Sequence, residues 1–228
     1  MIIKTFPARD DCINALGGDL AAALKSALEQ KGTASLALSG GRSPQKVLPL
    51  LASEPLRWSD IDVTLSDERC VLPTDEDSNA AMVQACFLKQ GAQNASFHPL
   101  WRQDIDIVDG LEIARSELRT FPWPLDVIYL GMGEDGHFAS LFPSDDIAQF
   151  DNDHGPVVGG RAPSAPHQRI SLSLSTILKT RHLFLHVTGN AKRETFEYAR
   201  TIAPTSQCPI SLLLNNDEID LRVYMADE

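Results

Sequence analysis

The chain has 228 residues, of which 43% are hydrophobic and 22% charged, an ordinary globular composition with enough length for a real core. Its formal net charge is −11; a phosphate backbone or an anionic membrane needs clustered Lys and Arg, so neither nucleic acid nor membrane is expected as a partner. A small phosphorylated ligand is not excluded, because it needs only a local basic pocket.

In chain order, Ile2 to Phe6 predicts an edge strand, and this opening apolar run is too short for a signal peptide. Ile13, Leu16, Leu20, Ala23, Leu24, Ala27 and Leu28 recur at helical spacing across 10–31, with a stop at Gly32. Ala34 to Leu38 predicts a strand. Ser39-Gly-Gly-Arg-Ser-Pro44 follows, with Ser43 expected as the N-cap and Pro44 as the first residue of a helix to about Ala52. Ile61 to Leu65 is the next strand, followed by a charged loop from Ser66 to Pro73.

Asp77-Ser-Asn79 opens a helical pattern through Leu88, and 105–119 is helical again. Asp126 to Leu130 reads as a buried strand. Residues 144–168 are polar, rich in Gly and Pro, and predict the longest loop. Arg169 to Leu174 is expected as a strand or extended arm and His182 to Val187 as a strand. A helix to about Ile202 follows, then two final strands at 210–214 and 221–225. No run of about 18 apolar residues exists, so no membrane span is expected. Strands alternating with helices predict an α/β fold whose mostly parallel sheet is covered on both faces.

Four strand ends carry candidate chemistry. At the first, backbone N–H groups of Gly40 and Gly41, the positive end of the following helix and the fork of Arg42 suit an anion, although the segment is not a Walker loop. At the second, Gly189-Asn-Ala-Lys192, a lysine stands in the first helical turn, where the helix dipole disfavours a cation unless an anion joins it. Arg169, at the exit of the long loop, is a further anion candidate.

The third is Gly131-Met-Gly-Glu-Asp-Gly-His-Phe-Ala-Ser-Leu-Phe-Pro143. Its start fits the G-x-G-x-x-G dinucleotide pattern, but Glu134 and Asp135 would repel a pyrophosphate, Pro143 interrupts the helix that should follow, and no acid-ended strand comes about 20 residues on. The loop instead reads as acid/base equipment, with Asp135 orienting His137. Asp67-Glu-Arg69 also ends a strand and faces the same edge if that strand is central.

Other chemistries find little support. There is no G-x-S-x-G elbow and no H-E-x-x-H. His182 and His186 share a strand face but stand about 13 Å apart, too far for one metal. Cys12, Cys70, Cys86 and Cys208 form no C-x-x-C pair and are expected as reduced thiols, with Cys70, beside Arg69, weighed as a mildly activated one.

Together these segments resemble one family. Ser39 to Pro44, Ser66-Asp-Glu-Arg69 with Val71, Pro73, Asp77, Ser78 and Asn79, the Gly131–Pro143 stretch, Arg169-Ile-Ser-Leu172 and Gly189 to Lys192 occur in this order in 6-phosphogluconolactonases. The resemblance covers almost the whole chain. It implies one domain over 1–228 and a Rossmann-like three-layer sandwich related to glucosamine-6-phosphate deaminase and ribose-5-phosphate isomerase. It also implies hydrolysis of 6-phospho-D-glucono-1,5-lactone in the pentose phosphate and Entner–Doudoroff routes, with no metal or cofactor, in the cytoplasm. The expected partner is a small sugar-phosphate lactone, and the oligomeric state is left open.

In that reading His137, Asp135 and Arg69 are catalytic, while Gly40, Gly41, Arg42, Ser43, Asp67, Arg169 and Lys192 bind substrate. Asp67 and Glu68 are expected to order their loop. Ser43, Phe138 and Ser144 replace residues more usual in the family. The deaminases follow their histidine with an acid-bearing segment, where this chain has Ser140-Leu-Phe-Pro143. A ring-opening deaminase or isomerase and a non-catalytic sugar-phosphate sensor are the alternatives.

Overall fold

In the computed structural model, residues 1–102, 105–151 and 155–226 are described. Ile2–Phe6 forms β1 and Arg9–Lys31 forms α1. Cys12, Leu16, Leu20, Leu24 and Leu28 bury one stripe of α1, the period the sequence predicts. Gly32 stops the helix at φ 81°, with its N–H 3.0 Å from the Leu28 carbonyl.

β2 (Ala34–Leu38) is buried at all five positions. A strand with no exposed face is covered on both sides, which is why it reads as a continuous apolar run and not as an alternation. α2 (Pro44–Ser53), β3 (Ile61–Leu65), β4 (Asp67–Arg69), α3 (Asn79–Cys86), β5 (Ser96–His98) and α4 (Ile107–Glu117) follow. Then come β6 (Val127–Gly131), β7 (Val157–Arg161), β8 (Gln168–Leu172), α5 (Leu174–Leu178), β9 (His182–Thr188), α6 (Asn190–Ala199), α7 (Ser211–Leu214) and β10 (Leu221–Ala226).

Seven strands form one sheet in the order β1-β10-β9-β6-β2-β3-β5, with every neighbouring pair parallel. β1 is an edge strand, as expected. Because the strands run one way, their carboxyl ends share an edge, and the loops after β2, β6 and β9 meet there. A second, antiparallel sheet, β4-β8-β7, stands beside that edge. No described helix is long and apolar enough to cross a membrane.

The structure departs from the expectations in several places. Ser43 does not cap α2: it is already helical (φ −69°, ψ −45°), which turns its hydroxyl from the first N–H groups to within 3.4 Å of the Thr188 hydroxyl. The charged segment after β3 is strand β4, with Asp67 and Glu68 buried, not a solvated loop. The expected loop 144–168 contains a 3₁₀ turn at Ile147–Phe150 and strand β7, while its residues 152–154 lie outside the described ones. β5, only three residues long, carried no pattern to read. The run at 210–214 is the short helix α7, not a strand: a short apolar run carries no period of its own, and Ser211 turns it by bonding the Cys208 carbonyl at 2.7 Å.

Candidate active site

The loops after β2, β6 and β9 enclose a pocket of about 660 Å³ together with β4 and the starts of α1 and α3. Gly40, Gly41, Arg42 and Ser43 line it from the first loop, His137 from the second and Lys192 from the third. Asp67 and Arg69 line it from β4. Gly40 and Lys192, 152 positions apart in sequence, thus meet because parallel strands deliver their loops to one edge.

The Asp135–His137 pair is held by a tight turn. His137 Nδ1 lies 2.5 Å from Asp135 Oδ1, and the His137 backbone N–H reaches the same oxygen at 3.1 Å. The carboxylate accepts from Nδ1–H, so the neutral imidazole keeps Nε2 free to accept a proton. Partial burial pushes the Asp135 carboxyl up, but the hydrogen bond and charge of His137 outweigh it and hold the group below its ordinary value. Gly133 permits this packing: a Cβ there would come within 2.2 Å of the His137 ring.

Other contacts fix the loop from outside. Thr195 of α6 donates to the Glu134 carbonyl at 2.7 Å, and the Ile210 N–H reaches the Gly136 carbonyl at 2.8 Å. The Phe142 ring leans on the His137 ring with centroids 4.6 Å apart.

Also lining the pocket, Lys192 in the first turn of α6 is partly buried. Burial pulls its ammonium below the ordinary value, Glu134 supports its charge, and Arg42 opposes it. Two cations face one cavity here, an arrangement that an anion would relieve. Gly40 is held against Asn79 so closely that a Cβ would lie 1.8 Å from its Oδ1.

β4 is organised by Glu68. Its carboxylate accepts from the N–H groups of Asn79, Ala80 and Arg69, each at 2.7 Å, and from Ser78 Oγ at 3.1 Å, so it closes the N-terminus of α3. Burial raises its carboxyl against those donors. Asp67 accepts from Ser66 Oγ at 3.0 Å and Ser140 Oγ at 2.7 Å, tying β4 to the histidine loop.

Arg69 bonds the Asp77 carbonyl at 2.5 Å. Arg169 does not line the pocket; it sits directly across from Arg69 in the β4–β8 ladder. Burial and the neighbouring Arg69 pull Arg169 below its ordinary value, and its Nη1 is buried with no partner among the described residues. Cys70 is not an activated thiol: burial, with Glu68 adding to it, pushes it up to about 12.

The sequence reading missed Arg9 and Ile13 of α1, Asn79, and His186 and Thr188 of β9, all of which line the pocket. The alternation of β9 was the available signal, since it puts His186 and Thr188 on one face at the strand's carboxyl end. Among the described residues no three His, Cys, Asp or Glu side chains gather as a metal site.

Residues 7–222 match the family described as glucosamine-6-phosphate isomerases/6-phosphogluconolactonase. A 6-phosphogluconolactonase of Mesorhizobium japonicum is 38% identical over 226 residues, covering 98% of this chain and 94% of the relative. One of Pseudomonas aeruginosa is 37% identical over 202 residues, covering 87% and 85%. The crystal structure of a 6-phosphogluconolactonase from Shewanella baltica superposes with a TM-score of 0.94 at 33% identity, covering 99% of this chain and 97% of that one. A monomeric glucosamine-6-phosphate deaminase shares the fold, with a TM-score of 0.79 at 18% identity and coverage of 100% and 98%.

Proposed function

The chain belongs to the 6-phosphogluconolactonase family, and from that premise we propose that it hydrolyses 6-phospho-D-glucono-1,5-lactone to 6-phospho-D-gluconate with His137 as general base. The observation that carries the mechanism is the bond between His137 Nδ1 and Asp135, on the wall of a pocket that Arg42 and Lys192 also line.

The 6-phosphate is held by the Gly40 and Gly41 N–H groups, Arg42, Ser43 and Lys192, with Arg169 adding positive potential from behind Arg69. That grip directs C1 towards His137. Nε2 takes a proton from water as the oxygen attacks the C1 carbonyl. The tetrahedral oxyanion is met by backbone N–H groups of the glycine loops and by Arg69. Collapse breaks the bond between C1 and the ring oxygen, which receives the proton from His137; the new C1 acid ionises in water. Asp135 keeps Nδ1 protonated throughout, and Asp67 holds β4 and the histidine loop in register against the substrate.

A ring-opening deaminase shares this fold and a histidine loop. Against it, Ser140-Leu-Phe-Pro143 offers no acid beside His137: Ser140 is committed to Asp67 and Phe142 to the histidine ring. A sensor would have no use for the Asp135–His137 pair. A lactone from central sugar-phosphate metabolism also assigns the enzyme to the cytoplasm.

The test is hydrolysis of freshly prepared lactone with the spontaneous rate subtracted. His137→Ala is expected to lose about 10²–10⁴-fold in kcat while still binding 6-phosphogluconate. Full activity in that variant, or release of ammonia from glucosamine 6-phosphate by the wild type, would overturn the reading.

A further inference from the structure

His186 lines the same pocket but has no part in the chemistry above. It stands near the carboxyl end of β9, is 3% exposed, and has its Nδ1 3.1 Å from the Tyr129 hydroxyl. That nitrogen is the hydroxyl's one hydrogen-bond partner among the described residues, so the O–H donates to it; the reverse arrangement would leave the hydroxyl proton buried and unpaired. A neutral imidazole that accepts at Nδ1 carries its proton on Nε2. Burial, with Lys192 and Arg9 adding to it, pushes His186 down to about 4, so the ring is neutral at physiological pH.

Nε2–H therefore is a donor, and it is buried with no partner among the described residues. Buried donors are nearly always paired, and an orphan in a pocket wall calls for an acceptor from outside the protein. The register gives its direction. Tyr129 pairs with Phe184, one step deeper in the sheet, whereas His186 pairs with Gly131 at the carboxyl end. Nδ1 is thus held on the Tyr129 side, and Nε2 is the ring nitrogen left for the pocket that His186 lines.

Its surroundings specify the acceptor. Arg9 and Lys192 line the same pocket and oppose a charge on the ring, and α1 starts at Arg9 behind Ala8, whose side chain caps nothing. A third cation here would be repelled, whereas a neutral N–H adds a hydrogen bond to an anion at no electrostatic cost.

We propose that Tyr129 and His186 form a tautomer-locked hydrogen-bond donor to a phosphate oxygen of the substrate, and so govern its binding and not its cleavage. The inference rests on the assignment of this end of the pocket to the phosphate.

Two readouts test it: steady-state lactone hydrolysis, and inhibition and calorimetric binding by inorganic phosphate. His186→Leu is expected to raise KM and the phosphate Kd together by about tenfold, with kcat within about twofold of wild type. His186→Gln, which retains an N–H donor, restores most of the loss. Tyr129→Phe gives an intermediate rise of about threefold, because either tautomer is then open. Unchanged KM and phosphate affinity in the Leu and Phe variants overturns the proposal. So does a rise in KM without a rise in the phosphate Kd, which would assign the contact to a sugar hydroxyl, or a loss confined to kcat. If the Leu variant does not fold, the Gln and Phe variants decide alone. Phosphate binding is read without turnover, so wild type that binds phosphate through His186 but leaves the lactone intact would refute the lactonase mechanism and not this inference.

Discussion

Strand β6 has an aspartate off each end, and the two have opposite fates. Asp126, at the amino end, is 1% exposed; its Oδ2 accepts from the Ser35 N–H at 2.8 Å and pairs with Lys31 at 2.8 Å, while Arg181 approaches Oδ1 at 3.5 Å. Asp135, at the carboxyl end, has a side chain 41% exposed and spends one oxygen on His137. The first carboxylate is surrounded by groups that end with it. The second holds a group that has another functional atom to present. In a parallel sheet the amino edge can be closed by charge and hydrogen bonding, while the carboxyl edge, where the loops diverge, keeps room for a ligand.

This contrast is open to direct attack. The largest effect belongs to the closed end: Asp126→Ala should cost about 3 kcal/mol of stability, since it strands the buried Ser35 N–H and hydroxyl and leaves Lys31 without its partner, while kcat stays within about twofold. Denaturant titration beside lactone assays checks this, and a matching fall in kcat would erase the distinction between the two ends. Next comes the open end. Asp135→Asn should lower kcat by about 10- to 100-fold, with little change in the unfolding midpoint, because the amide no longer fixes which nitrogen of His137 carries the proton.

The smallest effect sharpens the picture at the amino edge. Asp220 accepts from Arg222 at 2.8 Å and bonds His182 at 2.6 Å; partial burial raises its carboxyl, but those partners prevail and lower it from 3.8. A carboxyl with a lowered folded-state pKa stabilises the fold at pH above its unfolded value, and the increment is lost as pH falls through the lowered one. Its side chain is 34% exposed, so solvent screening leaves about 0.5 kcal/mol. Wild type and Asp220→Asn should therefore differ by that amount above the ordinary carboxyl range and converge as pH falls through the lowered value in acid-unfolding curves.

Much of this was legible in the sequence. The helical stripe of α1, the buried run of β2 and the Gly-rich strand ends are local patterns with a physical cause, and they put Arg42, His137 and Lys192 at one edge before any coordinates. What escaped was non-local. β4 reads as a charged corner because its acids are satisfied from other segments: Glu68 by Ser78, Asn79 and Ala80, ten to twelve positions on, and Asp67 by Ser140. β7 hides in a glycine-rich stretch because its partner, β8, lies on the far side of a turn. Arg169 reads as an anion ligand from its place at the exit of the long loop, whereas the ladder sets it across from Arg69 on β8. His186 was weighed only as a metal ligand; its tautomer depends on Tyr129, 57 residues earlier.

The juxtaposition of Arg69 and Arg169 across the β4–β8 ladder reaches beyond the reaction. Like charges directly opposite one another on a sheet oppose folding, and Asp77 offsets only part of that. Any anion that settles between them returns the lost stability. The choice of buffer is therefore not neutral for this protein: phosphate or sulfate should protect it on heating while occupying Arg69, the side chain proposed to meet the oxyanion. The preparation that keeps best in storage is then the one that turns over most slowly when first assayed.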